Sequence, residues 1–158
     1  EKSIKAMYDA VGKIDAVIAV TGKVAFAPFK ELTTQQYHES LMSKLMGQIN
    51  LLRIGVDYLN EKGSFTLTSG ILNHDPIETS IAAATVNGAL EGFVTASAQE
   101  LPRGLRVNLI SPTLVTESIA VFGEYFKGYK PVPLAEVAMA YRKSVDGLAT
   151  GKIIKVGY

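Results

Sequence analysis

The sequence predicts a single α/β domain over residues 1–158, with a parallel sheet that is covered by helices on both faces. Short apolar segments rich in β-branched residues alternate with longer segments whose apolar residues repeat at helical spacing. This alternation is typical of parallel sheets. Apolar residues make up 47% of the chain and charged residues 20%, so the chain can bury a hydrophobic core of its own.

Four segments are predicted to be strands. Residues 14–20 end in five consecutive apolar side chains, and we expect this strand to be buried on both faces of the sheet. The other three strands are expected over residues 64–69, 105–110 and 152–156, next to glycine or proline residues that break regular structure.

Helices are predicted over residues 3–11, 34–60 and 80–101, with a fourth helix starting near Pro133. Thr33 and Gln36 have the spacing of a capping box at the start of the second helix. In the third helix, four small residues form a row at i, i+4 spacing: Ala84, Gly88, Gly92 and Ala96. Glycine inside a helix costs on the order of 1 kcal/mol, so this row predicts close approach of another backbone. That backbone is either the sheet beneath or a helix of a second subunit.

Composition excludes several functional classes. A formal net charge of +1 gives no electrostatic basis for a nucleic-acid or membrane partner, and we expect neither. The chain has no cysteine and two histidines, His38 and His74, so we expect no metal site. The lack of cysteine fits a reducing compartment, and we expect a cytoplasmic protein.

Five short motifs occur in an order that resembles the short-chain dehydrogenase/reductase family over nearly the whole chain. Four of them match strands of that family or the turns that follow, and one matches the helix after its Tyr-x-x-x-Lys motif. The motifs are Lys13–Ile18, Gly63–Ser69, Gly88–Phe93, Arg106–Pro112 and Thr150–Gly151. The resemblance implies a Rossmann-like fold, a three-layer αβα sandwich with a parallel sheet.

The resemblance also places Glu1 just before the fourth strand of the family. The family's first strand, its Gly-rich phosphate-binding turn and the residue that selects the cofactor are not found in the sequence. We expect these parts to precede Glu1 in a longer protein. The alternative is a half-site that cannot bind a dinucleotide in the usual way.

The resemblance breaks down at the catalytic positions. In the family, a tyrosine is the general acid/base, a lysine lowers its pKa and binds ribose, and a serine orients the carbonyl group. Alignment on the helix motif places Ala83 at the tyrosine position and Asn87 at the lysine position. The serine position falls on Gly70 or Ser69, and the family's helix asparagine falls near Lys44.

The candidate catalytic residues are therefore Ser69, Asn87 and Lys44. Lys44 would replace the missing cation, Ser69 would orient a carbonyl group, and Asn87 would bind a cofactor ribose. Each residue also has a structural alternative: a strand-end serine bonded to backbone, an amide that caps a polar pocket, or a solvated lysine. His74, with Asp75 in the same loop, is a further candidate acid or base.

The expected cofactor is NAD(P), with NADP preferred over NAD, bound where strands end at their carboxyl termini. The expected contacts are Thr21, Gly22, Asn87, Pro112, Thr113, Leu114 and Thr116. Four aromatic residues follow the Pro112 turn, where the family has its substrate lid: Phe122, Tyr125, Phe126 and Tyr129. They form either an apolar substrate wall or a helix face packed on its own domain.

Two functional hypotheses follow from the resemblance. The first is an oxidoreductase that transfers hydride between NAD(P)(H) and a small carbonyl or alcohol substrate, with a nonstandard proton donor. The alternative is a catalytically silent relative that binds a nucleotide or a protein partner. In either case we expect a homo-oligomer that assembles through the helices at 34–60 and 80–101.

Overall fold

The computed structural model describes all residues from 1 to 158. Four parallel strands form one sheet in the order β1-β2-β3-β4. They are β1 (Ile14–Ile18), β2 (Leu59–Thr68), β3 (Arg106–Pro112) and β4 (Ile153–Val156). Neighbouring strands that are parallel require crossover connections, and helices provide them here. The predicted α/β class with a parallel sheet is confirmed.

Six helices connect and cover the strands. They are α1 (Lys2–Val11), α2 (Thr34–Ser40), α3 (Gly47–Gly55), α4 (Ile81–Ser97), α5 (Ile119–Phe122) and α6 (Leu134–Asp146). A π-helical turn, Leu41–Met46, joins α2 to α3, and single 3₁₀ turns lie at Ile71–Asn73 and Thr116–Ser118. No helix has the length and apolar character needed to cross a membrane.

Two apolar layers hold the helices on the sheet. Side chains alternate along β2 and β3, so Phe65 packs with Leu52 of α3 and Leu90 of α4 on one face. On the other face, Ile110 packs with Val137 of α6. The result is the three-layer αβα sandwich that the resemblance implies.

The long predicted helix at 34–60 is shorter than expected. Its capping box is confirmed, since the Thr33 hydroxyl accepts the Gln36 N–H at 3.2 Å. The helix ends at Gly55, and β2 already begins at Leu59. The guanidinium of Arg103 donates to the carbonyl oxygens of Val56 and Leu59, which fixes the turn between them. Periodicity could not show this contact, because Arg103 lies more than forty residues away along the chain.

Within residues 1–158, the segment 14–20 is not buried on both faces, contrary to the prediction. Strand β1 ends at Ile18 and is an edge strand that pairs with β2 alone. Ile18 and Val20 are therefore largely exposed. The third predicted helix, at 80–101, also ends earlier, at Ser97, and three turn residues follow it.

The small-residue row on α4 does not pack on the sheet. Val86, Leu90 and Val94 occupy the sheet-facing side of the helix and are fully buried. A Cβ atom built on Gly92 would meet nothing within 4 Å. The sheet beneath is therefore not the reason for this row, and its glycines lie on the exposed side of α4.

Candidate active site

A cleft of about 260 Å³ opens where the parallel strands end at their carboxyl termini. This is the edge at which open α/β sheets bind their ligands. The turn after β2, the turn after β3, the π-helical turn and α4 all contribute to its walls. Six of the predicted site residues line it: Lys44, Ser69, Asn87, Pro112, Thr113 and Leu114.

Lys44 is the charged group of this cleft. Its Nζ donates to Oδ1 of Asn87 at 2.9 Å and to the backbone oxygen of Ser69 at 3.3 Å. None of the ion pairs in the chain involves Lys44, so neutral acceptors hold its ammonium group. An ammonium group has three N–H donors, and two are used here. Burial without a carboxylate partner lowers the pKa of Lys44 to about 8.

The backbone around Lys44 is held by the segment after β1. Ser40 and Ser43 accept backbone N–H groups of that segment at 2.9 Å and 3.0 Å. Gly22 lies so close that a Cβ there would overlap the Lys44 backbone, and its φ of 109° also favours glycine. Lys44 itself is part of the π-helical turn, a feature that often marks functional sites. Lys44 is half-buried and its Nζ bonds to protein acceptors, so its ammonium group is not fully solvated.

Asn87 links Lys44 to the turn after β2. Its side chain is 2% exposed, and its Nδ2 donates to the Gly70 carbonyl oxygen at 3.0 Å. Because Nδ2 is used in this way, Oδ1 faces Lys44 as an acceptor. Ala83 lies one helical turn earlier and also lines the cleft, where its methyl group fills little space.

Ser69 contacts Lys44 through its backbone carbonyl oxygen and not through its hydroxyl. The hydroxyl is buried and makes one long hydrogen bond, 3.5 Å, to the Ile110 carbonyl oxygen. This contact favours the structural alternative for the Ser69 side chain. Its carbonyl oxygen, in contrast, accepts from Lys44.

Gln48 is a positioning residue that the sequence analysis missed. It lies one turn after Lys44, is fully buried, and binds both backbone groups of Thr68 at 2.7 Å and 2.9 Å. This amide fixes the end of β2 immediately before Ser69. The available signal was a polar residue four positions after Lys44, where it shares a helix face with that lysine.

Some predicted residues lie outside the cleft lining. Thr21 and Gly22 are exposed at the end of β1, and the N–H of Thr116 donates to the Val132 carbonyl oxygen at 2.8 Å. His74 pairs with Glu91, with 2.6 Å between Nε2 and Oε1, instead of facing Lys44. The structure contains no group of three or more His, Asp or Glu side chains that could hold a metal ion.

A second, mainly apolar cavity of about 270 Å³ adjoins the cleft. Its walls are Phe26, Ile77, Thr79, Phe122, Tyr125 and Phe126. Phe26, Phe122 and Phe126 line both spaces, so the predicted aromatic cluster borders the cleft. Tyr129 instead packs edge-on against Phe126 at 5.2 Å between ring centroids.

A parallel sheet with a cleft at its carboxyl edge places the chain in the Rossmann-like class of α/β proteins. A family model described as Enoyl-(Acyl carrier protein) reductase matches residues 1–132. The chain belongs to the short-chain dehydrogenase/reductase family.

Solved structures and curated relatives agree with this assignment. The structure of the protein lin1944 from Listeria innocua is 48% identical and has a TM-score of 0.97, covering 98% of this chain and 78% of that one. A small-chain dehydrogenase in complex with NADPH is 26% identical with a TM-score of 0.88, covering 98% and 77%. An uncharacterized oxidoreductase of Methylorubrum extorquens is 28% identical over 122 residues, covering 76% of this chain and 49% of the relative. The chain thus spans about half the length of the curated relatives it matches.

Proposed function

We propose that the protein is an NADP-linked oxidoreductase that reduces a carbonyl group, with Lys44 as the proton donor. The observation that carries this proposal is the environment of Nζ. Asn87 Oδ1 and the Ser69 carbonyl oxygen take two of its three N–H donors, and Lys44 lines the cleft. The third donor is free for the oxygen atom of a substrate or a ribose.

The residues around the cleft fit the nicotinamide-ribose end of a dinucleotide. An ammonium group and an amide suit ribose hydroxyls, and the Pro112–Leu114 turn offers a neutral wall for a planar ring. When bound, NADPH would supply the hydride. A relative solved in complex with NADPH supports this choice, and the preference for NADP and the cytoplasmic location stay predictions.

Lys44 can perform the proton transfer that carbonyl reduction requires. As the carbonyl carbon is reduced, negative charge develops on its oxygen, and a nearby ammonium group stabilises that charge. Lys44 then donates one proton, leaving a neutral amine that regains a proton from water in the open cleft. A pKa of about 8 makes this group a stronger acid than an ordinary lysine, which suits general acid catalysis near neutral pH.

The positions of Lys44 and Asn87 support this assignment. By resemblance, the family has a lysine where this chain has Asn87, and an asparagine near the position of Lys44. The two residue types are exchanged, and the side chains meet at 2.9 Å. A cation is therefore kept in the cleft although it comes from a different helix. Ala83 stands at the tyrosine position, so no tyrosine side chain lies between the Nζ of Lys44 and a substrate.

A cofactor titration and a turnover assay test this proposal on the protein in its natural full length. We expect saturable NADPH binding and NADPH oxidation with at least one member of a carbonyl panel. A folded protein that binds neither NADPH nor NADH would contradict the proposal.

The second candidate is a catalytically silent protein that binds a nucleotide or a protein partner. The alanine at position 83 favours it, because the family's acid/base group is missing there. Dinucleotide binding without turnover of any carbonyl compound would support this candidate, and turnover would exclude it.

We also propose that the protein is a homo-oligomer whose interface includes α4. The row of small residues on this helix is solvent-exposed at Gly88, Gly92 and Ala96. Met42, in the π-helical turn, is another exposed apolar side chain on the helices that the resemblance assigns to the interface. Small side chains would let a helix of a second subunit approach closely.

A further inference from the structure

We propose that the substrate is an uncharged carbonyl compound with a bulky apolar body, such as an aryl ketone. The body would occupy the second cavity, here called the outer compartment, and the carbonyl group would lie beside Lys44 in the cleft. This inference rests on the proposed reduction at Lys44 and adds the class of substrate.

In this proposal the two adjacent spaces act as one binding region. Phe26, Phe122 and Phe126 line both the cleft and the outer compartment, so the two spaces are adjacent and share these rings. Each volume, about 260 Å³ and about 270 Å³, lies below the range of roughly 300–1,000 Å³ that is typical of ligand sites. Together the volumes lie well within that range, which fits a ligand that fills both.

The walls select against charged and highly hydroxylated ligands. Neither lining contains an aspartate, glutamate or arginine, and Lys44 is the one lysine. A carboxylate substrate would therefore compete for the ammonium group that the carbonyl oxygen needs. A polyol in the outer compartment would leave hydroxyl groups without partners, at a cost in affinity. An aromatic or long alkyl body has neither problem.

Thr79 adds an independent sign of a ligand site. It lines the outer compartment with φ at 65°, a conformation that β-branched residues rarely adopt. The Ala27 N–H donates to its carbonyl oxygen at 3.2 Å, and the Ser80 hydroxyl bonds both backbone groups of Ile77. Backbone held in a sparsely populated conformation is concentrated at functional sites. Here it keeps Ile77 and Thr79 in the wall of the outer compartment.

The aromatic walls are themselves exposed. About half of the surface of Phe26 and of Phe122, and more of Tyr125, is accessible to water. A flat apolar ligand would cover these rings, and burial of such surface is favourable. Thr79 also lines this compartment, where its hydroxyl could bond to one polar substituent of that ligand.

Steady-state kinetics with three substrates tests the inference on the full-length protein with NADPH. Benzylacetone is neutral and aromatic, acetone is neutral and small, and pyruvate is small and charged. We expect the kcat/KM for benzylacetone to exceed that of the other two by roughly a hundredfold. Phe122→Ala should lower the ratio of the benzylacetone value to the acetone value about tenfold, because the larger ligand covers more of that ring. Phe29→Ala is the matched control, because Phe29 is 79% exposed and lines neither space.

Equal kcat/KM values for the three substrates, or no effect of Phe122→Ala on benzylacetone, would overturn the substrate class. Saturation-transfer NMR of benzylacetone separates this result from failure of the proposed reduction. One outcome would be that benzylacetone binds and that Phe122→Ala weakens this binding, but that no carbonyl compound is turned over. In that case the outer compartment is a ligand site and the proposed reduction at Lys44 is wrong.

Discussion

Replacing Lys44 by methionine separates a catalytic lysine from a structural one. Methionine keeps much of the length and apolar surface of the side chain but removes the charge and all three donors. If Lys44 stabilises the fold, its replacement should lower the free energy of unfolding. If Lys44 serves the reaction, its replacement should mainly lower turnover.

The expected change in stability is small, because two effects oppose each other. Burial moves the pKa of Lys44 from 10.5 to about 8, and at about 1.4 kcal/mol per pKa unit the charged form costs about 3 kcal/mol at neutral pH. Lys44→Met removes this cost. It also leaves Asn87 Oδ1 and the Ser69 carbonyl oxygen without a donor, a loss of about 1–3 kcal/mol. The free energy of unfolding should therefore stay within about 2 kcal/mol of the wild-type value.

Turnover should fall much more. Loss of a general acid typically lowers the rate by about 10²–10⁴-fold. Urea unfolding followed by circular dichroism gives the stability, and NADPH oxidation with a carbonyl substrate gives kcat. Lys30→Met is a matched control, since Lys30 is exposed and does not line the cleft. Wild-type turnover in Lys44→Met would refute the reasoning, as would a loss of more than about 4 kcal/mol of stability.

Three further predictions concern the assembly, the amide beside the site and the pH dependence of stability. Gly92→Leu should lower the oligomeric state in sedimentation without unfolding the protein, because its Cβ meets nothing within the chain, whereas Ala135→Leu on exposed α6 surface should change neither. Gln48→Leu should lower the free energy of unfolding by about 1–3 kcal/mol and reduce turnover, because both backbone groups of Thr68 lose their partner. Since the folded pKa of Lys44 lies below its unfolded value, the unfolded state binds its proton more tightly between about pH 8 and pH 10.5. Wild-type stability should therefore rise with pH across this window relative to Lys44→Met, by about 3 kcal/mol in all, and parallel stability curves would contradict the assigned pKa.

Local patterns were sufficient for the order of strands and helices but not for several boundaries. The Thr33 capping box was predictable because its hydrogen bonds join residues three positions apart. The start of β2 at Leu59 depends on Arg103, and the exposure of β1 depends on its place in the sheet. Both are tertiary effects that periodicity within one segment does not contain.

Six of the nine candidate site residues line the cleft, but the contacts among them could not be predicted from the sequence. Motif alignment gave Lys44 and Asn87, yet only the fold brings them to 2.9 Å across forty-three positions. Phe26, Ile77 and Thr79 were missed as cavity walls, because they lie in irregular segments where side-chain direction has no simple period. His74 was a reasonable candidate by residue type, and its pairing with Glu91 became visible only in the structure.

The central claim is that the ammonium group of Lys44 donates the proton in carbonyl reduction. The pH dependence of kcat/KM for the carbonyl substrate tests it most directly, because kcat/KM reports ionisations of the enzyme before the substrate binds. The wild-type rate should be constant below about pH 8. Above about pH 8 it should fall tenfold per pH unit, because Lys44 loses its proton. Lys44→Arg, whose guanidinium keeps both its charge and its proton, should be slower at every pH and show no such fall up to about pH 10. A wild-type rate that does not change across this range, or the same fall in Lys44→Arg, would contradict the account.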